Sequence, residues 1–382
     1  MIFRILEDQL GQKIREQKEA DRRFMEQALM LGRRGLGRTW PNPAVGAVVV
    51  KDGVILGRGW TQPGGRPHGE PEALRQAGEA ARGATLYVTL EPCSHFGKTP
   101  PCADAVIEAG IARVVSAIED PNPEVTGKGH ARLRAAGIIV DVGLCATEAA
   151  YDHAGHFRRV RDRRPHVILK LAVSTDDKIA GAGGKPVTVT GEAARRRAHL
   201  LRAQSDAILI GVGTALADDP LLTCRLPGMA ARSPVRVVLD PSLRLVTSSK
   251  LVQSARETPL WLVGSELAEA AAAARLGAAG AQIIRVPPGT ATDLDPSAVL
   301  HALADKGITR LMVEGGSRVA SSFVKAGLAD EVWLFRGSEA IGPDGVDALD
   351  ALPLSEITQS PAFAVRASES FGKDTLTIYE RT

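Results

Sequence analysis

Apolar positions along the chain follow two periods. In FMEQALMLGRRG, after Asp21, they recur at helical spacing, which predicts an amphipathic helix ending at Gly32 or Gly35. VGAVVVKDGVILGRGW then places two apolar runs on either side of Lys51-Asp52-Gly53. An Asp-Gly step between such runs predicts a β-hairpin, because a tight turn needs residues that accept a left-handed backbone. Beyond it, short apolar runs (TLYVTL, ARVVSAIE, GIIVDVG) alternate with helical stretches at 70–81, 102–109 and 128–136. That alternation predicts a three-layer α/β domain with a mixed sheet over residues 21–150. Residues 1–20 are mostly polar, carry no motif and are expected to form a helical or frayed extension.

The pattern breaks at 151–165, where FRRVRDRRP carries five Arg and ends at Pro165; a solvated linker is expected there. From 166 to 382 a second series of strands follows: HVILKLAVS, DAILIGV, VRVVLD, LWLV, QIIRV, RLMVEGG, DEVWLF and TLTIYE. Helical segments such as ELAEAAAAARLG lie between them, so a second α/β domain is expected. A length of 382 residues accommodates both.

Composition narrows the function. A net charge of +3 and only 4% aromatic residues speak against nucleic acid or an anionic membrane as partner. Four Cys are too few for a disulfide framework in a chain of this size. The first residues carry charges at 4, 7 and 8 without a continuous apolar core, a poor secretory signal. No stretch approaches the ~20 apolar residues of a membrane span. A cytoplasmic protein is expected.

Candidate chemistry centres on His68-Gly69-Glu70 and TLEPCSHFGKTPPC. His68, Cys93 and Cys102 each fall at or near a predicted helix start, and together supply three zinc ligands with the fourth position open, as a catalytic site requires. Positive helix ends favour thiolates at the two sulfurs. Glu70, two residues from the His, can stand beside the open position without binding the metal, taking a proton from water and giving it to a leaving amine. That is the logic of zinc-dependent base deaminases. The two Cys are separated by eight residues, a longer loop than the common pattern, holding His95, Lys98 and Pro100. Cys145 and Cys224 lack such partners and read as structural. Asn42, between Pro41 and Pro43, offers an amide that can pair with a flat heterocycle, or simply an ordinary turn.

The second domain has no G-x-G-x-x-G opening a helix after a strand, so a Rossmann reading is weak. RLMVEGGSRVASSF instead gives a strand, Glu314, a Gly pair and a Ser-rich helix, whose exposed amides can bind a diphosphate, although taken alone a Gly-Gly turn is more often just a helix entry.

Taken together, TWPNPAVGAVVVKDG, PHGEPEAL, YVTLEPCSHFGKTPPCADAVIEAGI and EDPNPEVTGKGHARLRAAGI resemble the deaminase half of the bifunctional riboflavin-biosynthesis deaminase/reductases. LKLAVSTDDKIA, LLRAQSDAILIGVGTALADDPLLTCR and VEGGSRVASSFVKAGLADE resemble the reductase half, and the likeness runs in order from about residue 21 to 380. The resemblance implies a cytidine-deaminase-like three-layer α/β/α domain followed by a dihydrofolate-reductase-like α/β domain. It implies zinc in the first, on His68, Cys93 and Cys102 with Glu70 as proton shuttle, and NADPH in the second. The reaction implied is deamination of a diaminopyrimidine ribosyl phosphate, then reduction of its ribosyl group to ribityl. Cofactor contacts implied are Ala172, Thr188, Thr214, Asp218, Gly316, Ser317, Arg318, Val319, Ala320, Ser321 and Ser322. Substrate contacts implied are Asn42, Arg202, Leu222, Arg225 and Glu314, with Arg202 or Arg225 clamping the phosphate. The family also implies a homodimer or higher homo-oligomer.

The chain departs from the family pattern at several positions. His68-Gly69-Glu70-Pro71 replaces H-A-E-V, Trp60 replaces a common His, and Ser174-Thr175-Asp176-Asp177 replaces S-L-D-G. Pro186-Val187-Thr188-Val189-Thr190 replaces S-x-W-I-T, removing one substrate contact and one cofactor-packing surface. Two other readings compete: a nucleic-acid base deaminase, which wants a basic groove and stacking aromatics, and a deaminase whose second domain has changed or lost its reductase specificity.

Overall fold

The computed structural model describes residues 2–97, 100–289 and 293–382, and it comprises two compact units, Met1–Asp162 and Arg163–Thr382. Lys98 of the long inter-cysteine loop lies outside the described residues. Among those described, no helix is long and apolar enough to cross a membrane.

In the first unit the strands are β1 (Gly46–Lys51), β2 (Val54–Trp60), β3 (Thr85–Val88), β4 (Arg113–Ser116) and β5 (Ile139–Val142), ordered β2-β1-β3-β4-β5. β1 runs antiparallel to both neighbours, and β3, β4 and β5 run parallel. The expected hairpin joins β1 to β2, with Asp52 and Gly53 at φ 51° and 76°. Alternation along β1 divides its side chains between two layers. Val48 and Val50 pack with Phe24, Met25 and Ala28 of the helix Ile2–Arg33. Ala47 and Val49 pack with Ala73 and Leu74 of the helix Gly69–Ala77 and with Leu133 of Lys128–Ala135. The three-layer arrangement follows.

The Arg-rich stretch differs from the solvated connector expected of it. It continues the first unit as the helices Ala146–Asp152 and Ala154–Asp162. Phe157 is buried in the same core as Leu133, and Asp152 accepts from Arg33 Nε at 2.8 Å. The arginines dominate the composition, but the buried Phe157 and His153 decide the placement.

Two glycines of β2 set how closely the helix Gly69–Ala77 lies on the sheet. A Cβ at Gly57 would stand 2.0 Å from the Ala73 carbonyl oxygen, and one at Gly59 2.0 Å from that of Gly69. Gly59→Ala must therefore lift the start of this helix, which directly follows His68. Overpacking of this kind costs about 1–3 kcal/mol, so a lowered unfolding midpoint and a loss of bound metal are expected. Metal analysis showing a full complement in a variant of unchanged stability would refute this.

In the second unit the strands are β6 (His166–Val173), β7 (Lys178–Ala180), β8 (Ala207–Gly211), β9 (Val235–Leu239), β10 (Leu260–Ser265) and β11 (Gln282–Val286), then β12 (Arg310–Val313), β13 (Glu331–Arg336), β14 (Val346–Asp347), β15 (Phe363–Phe371) and β16 (Asp374–Arg381). The main sheet has the order β11-β10-β9-β8-β12-β6-β13-β16-β15, and β7 pairs separately with β14. From β11 to β13 all neighbours are parallel, so the loops that follow β6, β12, β8, β9 and β10 share one edge. That edge is where ligands bind in parallel α/β sheets. β16 and β15 close the other end antiparallel.

Candidate active sites

His68 immediately precedes the helix Gly69–Ala77, Cys102 opens the helix Cys102–Glu108, and Cys93 lies in the loop that leaves β3. The fold gathers these three so that their donor atoms lie within 4.8 Å of one another. His68 Nδ1 is 3.3 Å from Cys102 Sγ and 3.8 Å from Cys93 Sγ. A tetrahedral zinc ion places such a nitrogen and sulfur about 3.6 Å apart, from bond lengths of ~2.0–2.1 and ~2.3 Å, so the donors fit. The hydrogen bond with Cys102 pulls the Cys93 thiol down to about 4, against burial and with help from His68. Cys102 is pushed up by that same shared proton and by burial. Its backbone amide donates to Cys93 Sγ at 3.3 Å.

Glu70 is 3% exposed, and its Oε2 is buried without a hydrogen-bond partner among the described residues. Burial pushes its carboxyl up to about 7, against the pull of His68. A carboxyl so placed can both accept and release a proton near neutral pH. Asn42 donates its amide to the Gly65 carbonyl at 2.9 Å, just ahead of His68, and His95 is exposed. Trp60 stacks under the Arg34 guanidinium, 4.5 Å from its ring centre.

Sequence reasoning gave Glu91 no role. In the structure its carboxylate accepts from the amides of Asp120, Gly127, Gly129 and His130 at 2.9–3.3 Å. Glu91, Glu119 and His130 also bring donor atoms within 4.8 Å, but the four amides occupy the Glu91 oxygens. Glu91 thus anchors the loop two residues before Cys93. Gly129 completes the fit, since a Cβ there would stand 2.0 Å from the Pro92 oxygen. No signal near Glu91 in the chain announces this, because the amides come from 29 to 39 residues away.

Two clefts of the second unit gather the expected contact residues along its open sheet edge. The larger, about 800 Å³, is lined by Thr214, Gly316, Ser317, Arg318, Val319, Ser321 and Ser322, all expected cofactor contacts. Ala320 is fully buried behind it. Gly316 donates its amide to Thr214 Oγ1 at 3.2 Å, and a Cβ there would stand 3.1 Å from that oxygen. The buried Ser321 hydroxyl has no partner among the described residues. A backbone cradle bare of side chains, at the start of a nine-residue helix and beside an unsatisfied hydroxyl, suits a diphosphate.

The smaller cleft, about 310 Å³, brings Ala172 and Thr188 together with Arg202, Arg225 and Glu314. The altered tract still reaches it, since Val187, Thr188, Val189 and Thr190 all line it. Glu314 accepts from Lys170 Nζ at 2.9 Å and from Arg202 at 2.8 and 3.0 Å, and Arg202 Nη1 also donates to the Thr223 carbonyl. Burial opposes ionisation of Glu314, but Lys170 and Arg202 outweigh it and hold the carboxyl at about 2. Leu222 is buried and Asp218 is exposed; both lie outside the linings of these two clefts. Asp177, in place of the family's Gly, takes φ 62° and pairs with Arg336 at 2.7 Å.

Sequence reasoning also missed Arg195 and His199, which line the smaller cleft. A signal existed: 195, 199 and 202 follow helical spacing and share one face of Glu192–Ala203. Burial, with Arg202 and Arg225 beside it, holds the His199 ring down at about 4. Its Nδ1 accepts from the Arg225 amide at 3.3 Å.

These shifts set a pH dependence. A depressed folded pKa means that the unfolded chain takes up the proton first, so stability falls with pH. The His199 contribution is present above about 6.5 and is lost toward 4; that of Glu314 is present above 4.5 and is lost toward 2. Urea midpoints are expected to fall in those two windows, and a midpoint flat from pH 7 to 3 would contradict both.

Residues 18–118 match the cytidine and deoxycytidylate deaminase zinc-binding region, and residues 165–377 match the RibD C-terminal domain. The riboflavin biosynthesis protein RibD of Aquifex aeolicus is 41% identical over 95% of this chain and 99% of its own. A solved RibD structure from Acinetobacter baumannii superposes with a TM-score of 0.84 at 34% identity, covering 96% of this chain and 99% of that one. A Thermotoga maritima structure described as a diaminohydroxyphosphoribosylaminopyrimidine deaminase/5-amino-6-(5-phosphoribosylamino)uracil reductase gives 0.82 at 35%, covering 96% and 100%. With both halves matched in order along nearly its whole length, the chain belongs to the RibD family of bifunctional deaminase/reductases of riboflavin biosynthesis.

Proposed function

We propose that the first unit deaminates 2,5-diamino-6-(5-phosphoribosylamino)pyrimidin-4(3H)-one by hydrolysis. The second then reduces the ribosyl chain of the resulting 5-amino-6-(5-phosphoribosylamino)uracil to ribityl. The observation that carries this reading is the buried Glu70 carboxyl, whose Oε2 has no hydrogen-bond partner among the described residues, beside three donor atoms spaced for one metal ion.

His68, Cys93 and Cys102 would hold zinc, which when bound supplies a Lewis acid that brings water within reach of deprotonation near pH 7. Glu70 takes the proton from water and delivers it to the departing amine. Its Oε2 has no hydrogen-bond partner among the described residues, so that oxygen is free to carry the proton. Asn42, already tied to Gly65, presents its remaining amide valences to the pyrimidine edge. Glu91 keeps Cys93 in register throughout.

In the second unit Gly316–Ser322 and Thr214 would hold NADPH, which when bound supplies the hydride that the sugar carbon accepts. Ala172 and Thr188 line the smaller cleft and would contact the nicotinamide end of the cofactor there. Every nitrogen of the Arg202 guanidinium is engaged by Glu314 or Thr223, so Arg202 acts as a fixed wall. Arg225 Nε lies 3.4 Å from His199 Nε2, and among the described residues its terminal nitrogens have no partner, which leaves them to take the substrate phosphate. The enzyme is proposed to work in the cytoplasm on this small phosphorylated substrate, as a homodimer or larger homo-oligomer.

The test supplies purified protein with the diaminopyrimidine ribosyl phosphate and NADPH, following ammonia release and NADPH oxidation together. Both signals are expected, in equal amounts. Ammonia without NADPH loss would overturn the reductase half, and neither signal would overturn the whole.

A further inference from the structure

The Arg225 side chain springs from a backbone tied down residue by residue against the helix Glu192–Ala203. Leu222 is buried at φ 56°. The Thr223 carbonyl accepts from Arg202 Nη1 at 3.1 Å. Cys224, also buried, donates its thiol to the His199 carbonyl at 3.5 Å and its amide to Ser233 Oγ at 3.1 Å. At Arg225 the chain reaches the surface, and its amide donates to His199 Nδ1 at 3.3 Å. Among the described residues that amide has no other acceptor.

The second ring nitrogen, Nε2, lies 3.4 Å from Arg225 Nε, so both nitrogens of one imidazole face N–H groups of one residue. A neutral imidazole has a single lone pair to offer, and an imidazolium has none. Burial, with Arg202, Arg225 and Lys170 outweighing Glu314, keeps the ring neutral, and Arg195 adds a further positive charge to the same cleft. The lone pair belongs with the backbone, because a peptide N–H stripped of its acceptor is costly whereas an exposed guanidinium is hydrated. The ring proton then sits on Nε2, opposite the Arg225 Nε–H. Two donors facing each other at that distance repel, which turns the guanidinium off the ring and into the cleft that both residues line. An Arg side chain loses much rotamer freedom when it grips an anion, so fixing its base and closing one direction beforehand strengthens the grip.

Resting on the reading of Arg225 as the phosphate ligand of the second unit, we infer that His199 is a positioning residue: its Nδ1 fixes the Arg225 backbone, and its Nε2–H directs the guanidinium to the substrate phosphate.

The test follows NADPH oxidation by full-length wild type, His199→Ala, His199→Asn, Arg225→Ala and the His199→Ala/Arg225→Ala double variant. Each is given 5-amino-6-(5-phosphoribosylamino)uracil and, separately, its dephosphorylated counterpart. Loss of one positioning hydrogen bond weakens binding by roughly 3- to 10-fold. For His199→Ala, KM for the phosphorylated substrate is expected to rise by that factor. Its kcat and NADPH affinity should stay within about twofold of wild type, and its KM for the dephosphorylated compound should not move. In the Arg225→Ala background the same substitution should change KM by less than about twofold. His199→Asn, whose side-chain oxygen can stand where Nδ1 stands, should recover most of the loss. An equal rise for both compounds, or full additivity in the double variant, would overturn the inference and leave His199 a packing residue. Should His199→Ala fail to fold and bind NADPH, His199→Asn decides: KM near wild type supports the inference, and KM as high as in Arg225→Ala overturns it. A wild-type KM equal for the two compounds overturns the reading of Arg225 itself, and this inference with it.

Discussion

Glu70→Gln is expected to lower ammonia release by about 10³–10⁴-fold while zinc content stays at one per chain. The amide keeps the shape and burial of Glu70 but can neither take a proton from water nor return one to the amine. Burial with Oε2 unpartnered among the described residues makes the carboxyl costly to keep and of no evident use to the fold, which marks it as functional. Removing its desolvation cost should leave the first unit as stable or slightly more so. Cys93→Ala separates the roles, since it should lose metal and deamination together. Both variants should still reduce pre-deaminated substrate, because the second unit has its own core. Ammonia release by Glu70→Gln within tenfold of wild type would remove Glu70 from the mechanism.

Glu314→Gln is expected to destabilise the second unit by about 3–5 kcal/mol and to abolish measurable NADPH oxidation, with ammonia release untouched. Among the described residues Glu314 is the only acid lining the smaller cleft, against Lys170, Arg195, Arg202 and Arg225. Its loss leaves Lys170 and Arg202, whose side chains are 15% and 12% exposed, without their counter-charge. The freed Arg202 then competes with Arg225 for the substrate phosphate and no longer walls the cleft. Urea unfolding with the two assays in parallel checks this. A variant within about 1 kcal/mol of wild type that still oxidises NADPH would show that the three-residue cluster is dispensable.

The alternation of apolar runs foretold most strands of both sheets, but β15 escaped it. FAVRASESF is a solvated edge strand with one buried residue, so its pattern carries no core signal. The Arg-rich stretch misled in the opposite way, since charge dominated its composition while Phe157 fixed its place. Glycine was legible as a turn former at Gly53 and silent at Gly59, where the reason for it is a helix backbone from elsewhere in the chain.

By itself the sequence determined the chemistry that lies within one or two short segments. His68 and Glu70 are fixed to each other by two residues of chain, and Cys93 and Cys102 by a loop that returns to a helix start. The hairpin and the Gly-Gly turn likewise need only their neighbours. Only the tertiary structure decided the rest. Lys170 and Arg202 meet Glu314 across 144 and 112 residues, and Glu91 is held by amides from a later loop. The physical reason is one of range. Backbone geometry couples residues a few positions apart, whereas a buried carboxylate's partners are chosen by sheet order and packing, which no local window of the chain contains.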